Sequence, residues 1–167
     1  MPVQIFLKAE GENSGLLRSN TTNRDFAGQL EILSANFSLN VPVSPSDLRI
    51  TGRRQFQPLI ITKFMDKNSP IIFRMITTNE RFNIFELSFL SRQDDRFIRG
   101  DSLRPTSMIS LGNAFVCNYS VSKAPMDSES NPNAIPSIES ISICFETISF
   151  KDLVNNIEAI DEVGISP

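Results

Sequence analysis

A chain of 167 residues with 40% hydrophobic side chains is long enough for one domain that removes roughly two-thirds of its unfolded surface from water. Its net charge of −3, with 16 basic residues set among 19 acidic ones, lacks the basic footprint of a nucleic-acid binder. No apolar run approaches the ~20 residues of a membrane-spanning helix, and the absence of histidine removes the usual general base and the commonest transition-metal ligand together.

Met1-Pro2-Val3-Gln4-Ile5-Phe6-Leu7-Lys8 alternates like a strand and lacks the basic start and apolar block of a signal peptide, so a leaderless chain is expected. The first strand ends at Gly11, and residues 12–25 read as a polar loop. From Gly28 to Val43 the apolar positions are Leu30 and Ile32, then Leu33, Ala35, Phe37, Leu39 and Val41, so the parity flips between Ile32 and Leu33. The same slip recurs between Ile84 and Phe85, and between Phe145 and Ile148. Three slips point to strands that bulge, bend around a barrel or cross between two sheets.

Residues 42–57 form a long loop carrying Leu48, Arg49, Arg53, Arg54 and Phe56, followed by a strand near 58–66. A helix then starts, with Ser69 as N-cap and Pro70 in the first helical slot. Ile71, Ile72, Met75 and Ile76 share one face, and Asn79 supplies a left-handed stop. Further strands are expected at 82–89, 109–121 and 138–151, separated by loops at 91–107 and 122–137. Long structureless loops are commonly functional, which makes 42–57 and 91–107 candidate contact surfaces. Beyond residue 152, Leu153, Val154, Ile157 and Ile160 at helical spacing suggest a short amphipathic helix or a frayed end. Cys117 and Cys144 fall in the inward phase of their strands and are expected to be buried free thiols. With 13 Phe spread over every strand, the strands offer more apolar surface than one small barrel needs, and an oligomer follows.

Several short patterns carry little weight. Asp127, Glu129, Asn131 and Asn133 imitate a calcium loop but have Pro132 where Gly is needed and Ile138 where Glu is needed. Arg99-Gly100-Asp101 is adequately explained as a turn. Asn20, Asn36 and Asn118 open glycosylation sequons without any sign of secretory processing. Asp94, Asp95 and Asp101 sit among Arg92, Arg96 and Arg99 as a solvated ionic cluster rather than an acid–base set. Neither a catalytic centre, a metal site nor a cofactor is expected.

Met1 to Lys8 with Glu10-Gly11, then Leu30-Glu31-Ile32-Leu33-Ser34, then Thr62-Lys63-Phe64-Met65-Asp66-Lys67-Asn68-Ser69-Pro70, and finally Glu139-Ser140-Ile141-Ser142-Ile143-Cys144-Phe145, occur in an order that resembles the haemolysin-coregulated protein (Hcp) family. That family provides the tube subunit of type VI secretion systems. The resemblance covers most of residues 1–152. It implies a mainly β fold, a small barrel of two sheets with one short helix over about 70–78, as a domain of residues 1–152 followed by a tail of 153–167. It further implies a non-enzymatic subunit that forms homo-hexameric rings, stacks them into a hollow tube and carries effector proteins in the lumen. Sheath, spike and baseplate proteins of the machine are the implied partners, with no nucleic acid and no membrane insertion. The implied route is from the bacterial cytoplasm to the medium or a target cell. Matching the family's extended loop, residues Leu48, Arg49, Arg53, Arg54 and Phe56 become candidates for contacts between subunits and rings. Two alternatives remain open: a monomeric barrel with an apolar ligand pocket, and a tail-tube protein of a phage-like particle.

Overall fold

The structure is a computed structural model that describes residues 4–19, 26–91, 104–123 and 136–163. Alternating apolar and polar residues generate strands β1 (Gln4–Gly11), β2 (Gly15–Leu16), β3 (Leu30–Ile32), β4 (Ser34–Asn36), β5 (Leu39–Asn40), β6 (Gln55–Phe56) and β7 (Leu59–Phe64). After helix α1 (Ser69–Thr77) come β8 (Phe82–Ser91), β9 (Arg104–Gly112), β10 (Phe115–Ser122), β11 (Ile138–Cys144), β12 (Thr147–Asp152) and β13 (Ile157–Glu162). One seven-stranded sheet runs β13-β12-β9-β8-β1-β2, with β3 also on β1, and a four-stranded sheet runs β10-β11-β7-β4. Strands β5 and β6 form a small separate hairpin. The fold is mainly β with one short helix, as expected.

Two of the three parity flips mark where the chain changes sheet. Ile32 ends a strand of the larger sheet and Ser34 begins one of the smaller, and between them the Leu33 N–H donates to Thr62 O at 2.8 Å. Likewise β11 belongs to the smaller sheet and β12 to the larger, with the crossing at Phe145 and Glu146. The flip in β8 is a bulge: Glu10 pairs with Ile84 but Gly11 with Phe82, leaving Asn83 extra. Where β9 hands over to β10, Gly112 is required because a Cβ there would land on the Thr147 hydroxyl.

Inward rows from both sheets meet in one core that includes Leu7, Ala9, Leu59, Ile61, Phe85, Leu87, Ile141 and Ile143, closed by Ile72 and Met75 of α1. Each of the larger side chains among them contributes about 1.5–3 kcal/mol through burial. The gap left inside, lined by Leu7, Ile61, Lys63, Phe85 and neighbours, measures about 10 Å³. A drug-sized ligand needs roughly 300 Å³ or more, so this gap between the two sheets does not support the apolar-ligand alternative.

Three local expectations require correction. The helix begins one residue earlier than expected: Asn68 is the N-cap and Ser69 the first helical residue. Asp66 causes this shift, because its carboxylate accepts the Asn68 N–H at 2.9 Å while its own N–H donates to Ser69 Oγ at 3.0 Å. The stop is where the sequence placed it, with Asn79 at φ 52° and the Glu80 N–H donating to Met75 O at 2.9 Å. The segment after Asp152 is neither helix nor frayed end but strand β13, paired with β12 from Thr147↔Glu162 to Asp152↔Ile157. Its backbone donors are satisfied by the sheet edge, which outweighs the helical spacing of its apolar residues. Finally, Cys117 is exposed because a bulge there breaks the inward phase of β10, and Cys144 is only half-buried because it alternates with the inward Ile141 and Ile143 of β11.

Candidate assembly surfaces

Residues 37–57 form an arm. At its tip Leu48 is 78% exposed with φ 55°, and Ile50 is 73% exposed. Arg49 lies in the same tip, exposed and 3.5 Å from Asp47, and Arg53 is exposed as well. The base, by contrast, is anchored. Phe56 packs against Phe37 and Phe145 with ring centroids 6.2 and 5.8 Å apart, and Arg54 grips Asp161 of β13 through Nε–Oδ2 at 2.5 Å and Nη2–Oδ1 at 2.6 Å. Asp161 is held below the usual carboxylate range, first by the Arg54 hydrogen bond. Of the five candidate contact residues, Leu48 and Arg49 therefore sit at the tip and Arg53 is exposed on the returning segment, while Arg54 and Phe56 are committed to holding the arm in place.

Between the arm base and the β12–β13 hairpin runs an open groove of about 270 Å³, lined by Phe37, Leu39, Phe56, Ile148, Phe150 and Ile160 among others. Phe150 is half exposed there. Asp152, Glu158, Asp161 and Glu162 lie on the same hairpin with Lys151 as its single base, which gives it an acidic balance.

The two outer sheet faces differ in kind. On the four-stranded sheet the cross-strand rows are Ser34–Thr62–Ser140–Ser120, Asn36–Ile60–Ser142–Asn118 and Phe64–Ile138–Ser122, without a charged side chain. Corresponding rows of the seven-stranded sheet contain Glu31, Lys151 and Glu158 in one, and Lys8 and Glu86 in the next.

Behind the uncharged face lies a buried polar junction that the sequence reading did not single out. Lys63 and Glu139 face each other across β7 and β11, 1% and 0% exposed, with Nζ 2.6 Å from Glu139 Oε1 in an ionic contact rather than a directed hydrogen bond. Lys63 Nζ also donates to Phe64 O and to Asp66 Oδ1, both at 2.9 Å, and the Tyr119 hydroxyl donates to Glu139 Oε2 at 2.6 Å. Burial first and the Glu139 carboxylate second push the Tyr119 hydroxyl up to about 12, so it remains a donor at any physiological pH. A signal was available: Leu59, Ile61 and Lys63, and Glu139, Ile141 and Ile143, put each charge in an inward phase. Both charges are sealed from solvent, so the junction ties the entrance of α1 to the sheet and offers no access to a substrate.

Among the described residues no cluster of three or more His, Cys, Asp or Glu side chains is placed to hold a metal. Asn36 and Asn118 lie exposed on the uncharged face. The Asp94–Asp95–Asp101 cluster with its arginines, the Arg99-Gly100-Asp101 tripeptide, the 127–133 loop and Asn20 lie outside the described residues.

A family model described as "Type VI secretion system effector, Hcp" matches residues 6–151. The chain belongs to the Hcp family. A crystal structure of an Hcp protein superposes with a TM-score of 0.85 at 16% identity, covering 99% of this chain and 100% of that one. The Hcp1 protein of an E. coli pathovar gives 0.78 at 19% identity over 96% and 99%, and the secreted protein Hcp3 of Pseudomonas aeruginosa gives 0.74 at 16% over 96% and 98%. At these identities the superpositions show the Hcp fold. The "Major exported protein" of P. aeruginosa is 26% identical over 98 residues, 53% of this chain and 57% of that protein, so the match spans little more than half of each.

Proposed function

We propose that this Hcp protein is a structural subunit of the type VI secretion tube, forming hexameric rings that stack into a hollow, exported conduit for effector proteins. The observation that carries this reading is the uncharged outer face of the four-stranded sheet. A channel lining must neither grip nor repel varied cargo, and rows of Ser, Thr and Asn hydroxyls and amides hydrogen-bond to water without fixed charge. Strands β10 and β4 leave that sheet open at both edges, so neighbouring copies can continue it around a ring. The charged face of the larger sheet then faces outward, toward the sheath, spike and baseplate proteins.

Between rings, the arm tip is assigned to the next copy. Leu48 and Ile50 supply apolar knobs, the groove by β12–β13 supplies a socket, and Arg49 and Arg53 meet its acidic rim. Such a head-to-tail contact either closes or propagates, as a tube of rings requires. Departure from the bacterial cytoplasm to the medium or a target cell is the matching route, in keeping with the name of the exported relative.

Light scattering and negative-stain imaging of the purified protein test the reading. Rings of uniform diameter with the mass of six copies are expected. A protein that stays monomeric at high concentration and shows no rings overturns it.

A further inference from the structure

We infer that Cys117 and Cys144 are a redox-sensitive pair that closes into a disulfide within one chain when the protein meets an oxidising environment. They lie on neighbouring strands of the four-stranded sheet. Phe115 pairs with Cys144, Val116 with Ile143 and Asn118 with Ser142, so Cys117 is the extra residue of a bulge. Val116 is buried while Cys117 and Asn118 are both exposed, so the bulge turns Cys117 out of the core toward the outer face. There its Sγ lies 3.4 Å from Ser142 O, two residues before Cys144 on the paired strand. From that position a disulfide requires side-chain rotation and no change of strand pairing. Without the bulge, residues in this diagonal relation sit about 7–8 Å apart, beyond the usual reach of a disulfide.

The balanced reaction needs an electron acceptor, and a small-molecule disulfide supplies it. One protein thiolate attacks a sulfur of that disulfide, breaking its S–S bond, forming a mixed disulfide and releasing one small thiol. The second protein thiolate then displaces the other small thiol as the protein S–S bond forms. Two protein thiols are oxidised, two electrons pass to the small disulfide, and two protons end on its thiols.

Burial first and the neighbouring Cys144 second push the Cys117 thiol up to about 11, so little thiolate exists at neutral pH. Attack by Cys117 is therefore slow near pH 7, and its rate climbs about tenfold per pH unit while that thiol stays mostly protonated. A reducing cytosol keeps the pair open, and an oxidising environment lets it close after delivery. The change of environment rests on the tube reading, but the chemistry does not, so it is tested on the isolated chain.

Reduced full-length protein is incubated with oxidised glutathione between pH 7 and 9.5, then followed by thiol titration, intact mass and peptide mapping. The expected product has lost two hydrogen atoms, has no free thiol, and yields one crosslinked peptide joining the segments around residues 117 and 144. Cys117→Ser and Cys144→Ser variants should instead each retain a single glutathione adduct. A wild-type protein that accumulates two glutathione adducts, or links only between chains, overturns the inference. So does one that stays reduced while folded yet oxidises when denatured.

Discussion

Two ion pairs of similar closest approach occupy opposite situations in this molecule. Lys63–Glu139 is sealed at the junction of β7, β11 and α1, whereas Arg54–Asp161 lies at the base of the arm with side chains 28% and 37% exposed. Removing charges from water costs several kcal/mol per ion, and only close pairing and added hydrogen bonds offset it. Lys63 has Asp66 and Phe64 O besides Glu139, and Glu139 has Tyr119. The arm pair needs no such support, because water still screens it. The buried pair is therefore tolerated only while both charges and their hydrogen bonds are present, and the exposed pair fixes where a projecting element points.

The largest test breaks the buried side of that contrast. Lys63→Ala leaves Glu139 as an unpaired buried carboxylate, and a loss of about 3–5 kcal/mol in urea unfolding is expected. Replacing both partners with apolar residues, Lys63→Met with Glu139→Leu, should recover most of that loss. If the double variant is as unstable as Lys63→Ala, the cost arises from packing rather than from a stranded charge.

Glu80 sharpens the comparison from an intermediate position. Its buried carboxylate accepts from Asn13 N at 2.7 Å, Ser14 N at 2.6 Å and Ser14 Oγ at 2.8 Å, closing the turn between β1 and β2. Burial pushes its pKa up, but the Ser14 and Asn13 donors outweigh it and leave the net shift below the ordinary 4.5. A depressed folded pKa stabilises fully above the unfolded value and loses that stabilisation as pH falls through the folded one. Glu80→Ala should cost about 1–3 kcal/mol at pH 7, and Glu80→Gln should flatten the acid limb of the stability profile below about pH 4.5. An unchanged acid limb would assign acid unfolding to other carboxylates. The same site explains Gly11, since a Cβ there would meet Glu80 Oε1 at 2.5 Å and Met75 Cε at 3.0 Å.

How much of this was legible in the chain depends on whether the signal was periodic. The flips at Ile32/Leu33 and Phe145/Ile148 placed both sheet crossings, because a core on one side forces parity to change when a strand changes sheet. The left-handed stop at Asn79 was local and equally readable. Residues 157–162 misled, since Ile157 and Ile160 satisfy a helix as well as a sheet edge, and pairing with β12 is a tertiary fact. Arg54 was placed among the contact candidates, yet its partner Asp161 lies 107 residues away, beyond any spacing rule. Lys63 and Glu139 were visible as inward charges, but only the fold shows that they meet.

A smaller effect probes the support around the buried pair. Tyr119→Phe removes one hydrogen bond to Glu139 but leaves Lys63 in place, so a loss of about 1.5–3 kcal/mol is expected for a bond to a charged group, at the low end because the ammonium remains. Differential scanning calorimetry at pH 7 measures it. A loss as large as that of Lys63→Ala would make the phenol, rather than the ammonium, the main partner of Glu139.

The smallest expected change in stability belongs to the exposed pair, and there the contrast is decided by a different readout. Arg54→Ala should barely move the melting midpoint, because Arg54 and Asp161 are hydrated and the arm base keeps its Phe37–Phe56–Phe145 contacts. Association between rings should nevertheless weaken, since an arm freed from β13 must be ordered again each time Leu48 and Ile50 seat on a second copy. Arg54→Lys should restore it only in part, because an ammonium cannot reproduce the two-point grip on the carboxylate. Sedimentation velocity of wild type and both variants at matched concentration measures this ordering. A variant that melts early and associates normally would reverse the roles assigned to the two pairs, making the arm pair a fold element after all.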